Sequence, residues 1–323
     1  MIDRRGFIPL LALAPALPAM AQTAPAWKPD RPIRFVVGFA AGGSTDTSAR
    51  LVANALTGLG QPVVVENRVG AGGNIGSEFV ARAAPDGHTF VVASVGTHAT
   101  NQFLYPDMSF NVVRDFAPIS LVLVSGAVAV VHPSLPVRSI AELVTYAKAN
   151  PGKLDIGTSG AGSTQQFAAA LFEQKADVRF NHIPYRGGAP AMTDLIAGRL
   201  HLIFSPLAEA MPFITSGQVR PLGVTRLERM PALPEVPPIA DAVPGYEFNS
   251  WIGIFAPART PANIIQTMSA AIAEAVRTPA VRDRMQALGY LPVGGSADDM
   301  AAMQRRDYAL MEELVRRTGA RAD

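Results

Sequence analysis

Phe39-Ala-Ala-Gly42-Gly43-Ser44-Thr45-Asp46 follows a short β-branched run, Ile33-Arg-Phe-Val-Val37, and opens an apolar, helix-periodic stretch over residues 46–59. A strand that hands over to a helix through small residues is the signature of a β–α unit. The arrangement recurs at Gly70-Ala-Gly72-Gly73-Asn-Ile-Gly76, after Val63-Val-Val-Glu66, and at Thr158-Ser159-Gly160-Ala-Gly162-Ser163-Thr164, after a run over 154–157. The first residues of each helix expose unpaired N–H groups at the positive end of the helix dipole, which suits an anion. Glycine lets that anion reach backbone that a Cβ would shield. Taken singly, Gly42-Gly43 and Gly160/Gly162 read as tight turns with N-caps. Their recurrence in matching contexts favours an anion receptor.

Working outward, β-branched runs and helical patterns alternate along the chain. A helix over 74–84 precedes a strand over 89–93, and a nearly uncharged stretch over 119–131 reads as two strands around Ser125-Gly126. A second series follows: helix 140–150, strand 154–157, helix 164–174, strand 180–184, helix 189–197 and strand 200–204. A proline-rich loop over 228–245 and a strand over 250–256 come next, and helices fill the chain beyond Pro261. This pattern argues for an α/β fold of two lobes, each a mainly parallel sheet flanked by helices. Lobe 1 takes residues 22–131 and 251–323, lobe 2 residues 132–250, with crossovers near 130 and 250. A ligand would occupy the cleft at the carboxyl ends of the strands.

Composition narrows the function. The 323 residues carry a formal charge of +2, with no Lys/Arg cluster interleaved with aromatics, so nucleic acid is not an expected partner. The N-terminus is a targeting segment, residues 1–21. Arg4-Arg5-Gly6-Phe7-Ile8 has the offsets of a twin-arginine signal and equally of an ordinary basic n-region, and Ala19-Met20-Ala21 ends it as an A-x-A cleavage site. Export to the periplasm follows. The chain has no cysteine, which excludes disulfides, thiol nucleophiles and thiolate metal sites.

Gly70–Gly76 resembles a dinucleotide fingerprint in letters, but about 20 residues on, where its acidic partner belongs, stands the turn Ala84-Pro-Asp-Gly-His88. No Gly-Lys-Ser/Thr closes a P-loop. Gly157-Thr-Ser159-Gly-Ala161 lacks the last glycine of a nucleophile elbow, so Ser159 reads as a hydrogen-bond donor or turn residue. The histidines, 88, 98, 132, 182 and 201, show no metal-ligand spacing. Only His98 is kept, because Gly96-Thr97-His98 follows a strand end where it would line the cleft. No metal or cofactor is expected. An exported hydrolase or oxidoreductase using the glycine loops for phosphate or cofactor remains the enzyme alternative.

The chain also resembles the Bug-type extracytoplasmic solute receptors, the binding component of tripartite tricarboxylate transporters. The resemblance runs from Pro32 to the C-terminus. It rests on residues 39–50, on Val65-Glu-Asn-Arg-Val-Gly-Ala-Gly-Gly-Asn-Ile-Gly76, Asp115-Phe-Ala-Pro-Ile119, Gly160-Ala-Gly-Ser163, Ile183-Pro-Tyr-Arg-Gly-Gly188 and Trp251-Ile-Gly-Ile-Phe-Ala-Pro257. It implies a Venus-flytrap fold, type II-like, that closes on a small carboxylated solute (dicarboxylate, tricarboxylate, amino acid or aromatic acid) and performs no chemistry. It implies a monomer that delivers the solute to membrane transporter subunits, with a signalling partner as the alternative. Carried over, the carboxylate clamp is Phe39, Gly42, Gly43, Ser44 and Thr45 facing Ser159, Gly160, Gly162, Ser163 and Thr164. Gly96, Thr97, His98 and Ser205 would shape the distal end. Asp46 reads as an N-cap, and Arg50 and Arg186 as solvated surface charges. The resemblance has departures: Ala40 and Ala41 stand where proline is usual, Gln166 where histidine is usual, and Ser205 where many members have aspartate.

Overall fold

The computed structural model of the chain describes residues 27–160, 162–185 and 187–322. The targeting segment 1–21, Ala161 and Arg186 lie outside the described residues.

The first half runs β1 (Ile33–Val37), α1 (Ser44–Ala55), β2 (Val63–Asn67), α2 (Asn74–Ala81), β3 (Thr89–Ser94), α3 (Asn101–Leu104) and β4 (Phe116–Val131). The second runs α4 (Ile140–Ala149), β5 (Asp155–Thr158), α5 (Thr164–Ala176), β6 (Asn181–Pro184), α6 (Gly188–Ile196), β7 (Leu202–Pro206), α7 (Leu207–Thr215) and β8 (Arg220–Val224). The chain then returns through β9 (Asn249–Pro257), α8 (Ala262–Arg277), α9 (Pro279–Ala287), β10 (Leu291–Pro292) and α10 (Ala297–Thr318).

The strands form one hydrogen-bonded path, β2-β1-β3-β9-β4-β7-β5-β6, with β8 and β10 also paired to β4. The fold is α/β and two-lobed. The flanks are parallel as expected, β1 with β2 and β3, and β5 with β6 and β7. The centre differs from a mainly parallel sheet, because β9 is antiparallel to β3 and β4, and β4 is antiparallel to β7. That reversal lets one chain enter and leave the second lobe through two adjacent strands without a crossover helix.

β4 is one strand where the sequence suggested two. Ser125 and Gly126 keep the ladder by pairing with Ser250 and Asn249 of β9. Beyond them, Ala127–Val131 pairs with β7 and β8 instead. The polar dip in an apolar run therefore marks passage between lobes, not a turn. Sequence reading also passed over α7 and β8, which carry the breakers Pro212, Pro221 and Gly223. Burial of Leu207 and Ala210 and pairing with β4 override those local preferences.

The core lies on both faces of the sheet. One cluster packs Phe35, Val37 and Phe90 against Val52 of α1 and Met268 and Ile272 of α8. Another joins Val91 and Phe255 of the first lobe to Phe172 and Phe204 of the second through Met311 and Leu314 of α10. A Ser296–Asp299 capping box fixes the start of α10, and Gln174 of α5 donates to Glu313. α10 thus spans the two lobes along one side. The opposite side, at the carboxyl ends of the parallel strands, is left for a cleft.

Candidate functional site

The loop after β1 is set by a buried acid. Asp46, only 2% exposed, accepts from the Gly42 N–H at 2.9 Å, Arg50 Nε at 3.0 Å and Asn67 Nδ2 at 2.8 Å. Asn67 also donates to the Phe39 carbonyl at 2.9 Å, strapping the loop to the end of β2. The Arg50 bond, aided by Gly42 and Asn67, holds the Asp46 carboxyl down at about 2 despite its burial. The expected N-cap role does not hold. Gly43 occupies that position and makes no side-chain cap bond, so the first N–H groups of α1 have no side-chain acceptor.

The loop after β3 is built by Thr97. Its hydroxyl accepts from the Ser94 N–H at 3.0 Å and donates to the Ser94 carbonyl at 3.1 Å. A π-helical turn over Gly96–Thr100 follows. It carries His98 away from the cleft into the core, between Phe116 and Phe255, with ring centroids at 4.5 and 4.6 Å. The His98 ring is fully buried, and that burial pushes its pKa down to about 3. A neutral core histidine replaces the expected cleft residue.

In the second lobe, Ser163 Oγ caps α5 by accepting from the Gln166 N–H at 3.2 Å. The Gln166 amide oxygen accepts from the Gly162 N–H at 2.7 Å. Gly162 has φ +73°, and a Cβ there would lie 2.9 Å from Leu104 Cδ1, so it sits tight against α3. The glutamine that departs from the family pattern thus takes up one N–H of this loop.

A cavity of about 360 Å³ opens where these loops meet. Phe39, Gly43, Ser44, Thr45 and Gly96 wall it from the first lobe and Thr164 from the second, with Ser125, Ser250 and Tyr290 between. A recess of about 50 Å³ shares Ser125, Thr164 and Ser250 as walls and adds Gln165, Phe204 and Phe248. Of the expected site residues, those six come together. Gly42 spends its N–H on Asp46. Thr97 and His98 are buried behind the cavity. Ser159, Gly160, Gly162 and Ser163 belong to the second-lobe loop but not to the cavity wall. Ser205 is 1% exposed, with its hydroxyl donating to the Pro206 carbonyl at 3.3 Å, so it shapes no distal end here.

Sequence reading missed Ser125, Ser250, Gln165 and Tyr290. The first two were visible as polar breaks in apolar strands. Tyr290 carries no local signal, since it reaches the cavity from the turn after α9. There it hydrogen-bonds Ser44, and burial pushes its phenol up. Among the described residues lining cavity and recess, no Lys, Arg, His, Asp or Glu occurs. Neutral hydroxyl and N–H donors must therefore hold any anion. A larger cavity, about 670 Å³, lies among Arg31, Arg34, Arg68 and Arg82. Its arginines are spent on internal pairs, Arg68–Glu66 and Arg82–Glu78 both at 2.6 Å and Arg31–Asp86 at 2.8 Å, and the lobes do not meet there. Among the described residues no acidic, His or Cys cluster could hold a metal.

The sequence model of the tripartite tricarboxylate transporter family receptor matches residues 48–319. The chain belongs to this receptor family. The receptor is 34% identical to the protein BugT of Bordetella pertussis over 95% of this chain and 94% of that one. It is 39% identical to the UPF0065 protein in the tcbD-tcbE intergenic region of Pseudomonas sp. strain P51, over 89% and 86%. Among solved structures it resembles Rpa4515 of R. palustris with adipate, at 37% identity and a TM-score of 0.74, covering 91% of this chain and 99% of that chain. Among the described residues of this receptor no helix is long and apolar enough to cross a membrane.

Proposed function

We propose that this receptor is exported to the periplasm, closes its two lobes on a small organic carboxylate and hands it to the membrane subunits of a tripartite tricarboxylate-type transporter. The observation that carries the reading is the cavity walled by the first turns of α1 and α5, by Ser94–Gly96 and by no charged side chain among the described residues. An anion held there gains charge-assisted bonds of about 1.5–3 kcal/mol each to neutral donors plus a dipole contribution of about 0.3–2 kcal/mol. Among the described residues Tyr290 is the cavity's one titratable wall and is pushed toward its neutral form, while His98 is locked in the core. This argues for binding without turnover. The adipate in the R. palustris relative supports a carboxylate ligand.

The lobe boundaries we propose follow the pairing of β4 and β9: lobe 1 up to about residue 125 and again from about 250, lobe 2 between. Export through residues 1–21 and a monomeric receptor complete the proposal.

A thermal-shift and calorimetric screen of mono-, di- and tricarboxylates, amino acids and aromatic acids tests it. A carboxylate at 100 times its Kd should stabilise the fold by about 2.7 kcal/mol. The proposal fails if none stabilises the protein and mass spectrometry of native preparations finds no bound acid. Gly43→Val is the matching variant. Gly43 has φ −71°, and a Cβ there meets nothing nearer than 3.5 Å. The fold should survive while the branched side chain fills the cavity mouth and abolishes binding. Unchanged affinity would show that the loop after β1 is not the anion site.

A further inference from the structure

The recess beside the β4–β9 crossing holds polar groups that carboxylate binding leaves unused. Gln165, 4% exposed, lines it, and the Gln165 amide oxygen has no hydrogen-bond partner. Buried acceptors are mostly paired, so one left unpaired in a cavity wall has room for a water, an ion or a ligand group as partner. The other end of the same amide approaches α6. A Cβ on Gly188 would lie 3.2 Å from Gln165 Nε2 and would collide with Glu209 Oε2. Glu209, in the first turn of α7, therefore converges with Gln165 over the start of α6. These elements follow β5, β6 and β7, so both side chains stand on the cleft face of the second lobe. Glu209 is exposed and stands behind the recess wall, next to Gln165, not on the wall itself; the protein packed around it lifts its carboxyl above the ordinary range, and no hydrogen bond or ion pair with a described residue counters that. With no described Lys or Arg on the cavity walls, a second carboxylate near this point would meet the Glu209 carboxylate and the unpaired Gln165 oxygen with no cation to offset them.

We propose that Gln165 and Glu209 form a selectivity subsite for a hydrogen-bond-donating group on the ligand, so that the receptor prefers hydroxy-, amide- or amino-substituted monocarboxylates to dicarboxylates. The inference rests on the reading that the ligand's one carboxylate sits at the opposite end, against Ser44, Thr45 and Ser94–Gly96. Glu209 acts as attraction for the donor and as repulsion for a second anion, the two routes to specificity.

The test is calorimetry of the mature protein with matched acids, in straight-chain and benzoate forms: unsubstituted, and carrying a far-end hydroxyl, amide, amine or carboxylate. The donor-bearing acids should bind at least about tenfold tighter than the diacids. Comparing amine with hydroxyl separates charge from donor recognition. Glu209→Gln should tighten diacid binding about tenfold and weaken the amine, with the unsubstituted acid unchanged. Gln165→Met should weaken the hydroxyl and amide ligands alone. The melting temperature of each unliganded variant checks its fold. Diacids binding as tightly as hydroxy acids, or Glu209→Gln shifting every ligand equally, would overturn the subsite while leaving carboxylate binding intact. If no acid binds, the unsubstituted ones included, the carboxylate reading falls with it.

Discussion

Asp46 shows how one buried acid shapes a binding loop. Its carboxylate is spent on Gly42, Arg50 and Asn67 rather than on a ligand. A carboxyl depressed to about 2 in the fold, against about 3.9 in the unfolded chain, contributes about 2 kcal/mol of stability at neutral pH. That contribution is complete above the unfolded value and is lost as pH falls through the folded one. Asp46→Asn should therefore cost about 2 kcal/mol at pH 7, with the difference from the parent shrinking between pH 4 and pH 2 in urea melts. A pH-independent difference would show that charge is not what Asp46 contributes. The sequence placed Asp46 near a helix start, which is right. It did not show the acceptor role, because Asn67 arrives from 21 residues away through the β1–β2 pairing. Local pattern carries no information about such a partner.

Among the elements, the middle glycine turn settles what its letters left open. Gly70–Gly76 has the letters of a dinucleotide fingerprint, and none of it lines the cavity. Its work is close packing of the α2 start against the end of β1. A Cβ on Gly38 would lie 2.6 Å from the Gly73 Cα and carbonyl oxygen, and one on Gly76 would lie 3.0 Å from the Gly38 Cα. Backbone cannot swing aside as a side chain can, so Gly38→Ala should destabilise by about 1–3 kcal/mol in denaturant melts. A variant as stable as the parent would refute the packing role. The α5 start was legible in outline, since Ser163 and its neighbours read as a helix opening. Gln166 closing on the Gly162 N–H was not, because side-chain direction follows from packing and not from spacing.

For the whole molecule, β4 and β9 are the only strands shared by the two lobes among the described residues, and Ser125, Gly126, Asn249 and Ser250 face one another at the crossing. With β4 and β9 as the crossings and α10 packed across one side, the opposite, cleft side is free to close around a ligand by a hinge, with the closed population set by differential affinity. The absence of cysteine makes this measurable. Spin or fluorescent labels at Val64→Cys, on the first-lobe edge, and Lys153→Cys, before β5, should draw closer when a binding carboxylate is added. A distance distribution that saturating ligand leaves unchanged would sink the closure mechanism.

The sequence by itself determined the alternation of strands and helices, the two-lobed α/β class, the glycine-opened helices at Ser44 and Thr164, and the family motifs from Pro32 onward. These are legible because periodicity, β-branching and turn chemistry act over a few residues. Only the tertiary structure decided that Ser125-Gly126 is a crossing within one strand, that His98 belongs to the core and Ser205 donates to the Pro206 carbonyl, and that Ser250, Gln165 and Tyr290 meet the glycine turns. Those outcomes depend on strand pairing and burial between residues up to about 250 positions apart, as between Ser44 and Tyr290. No window of sequence contains both partners.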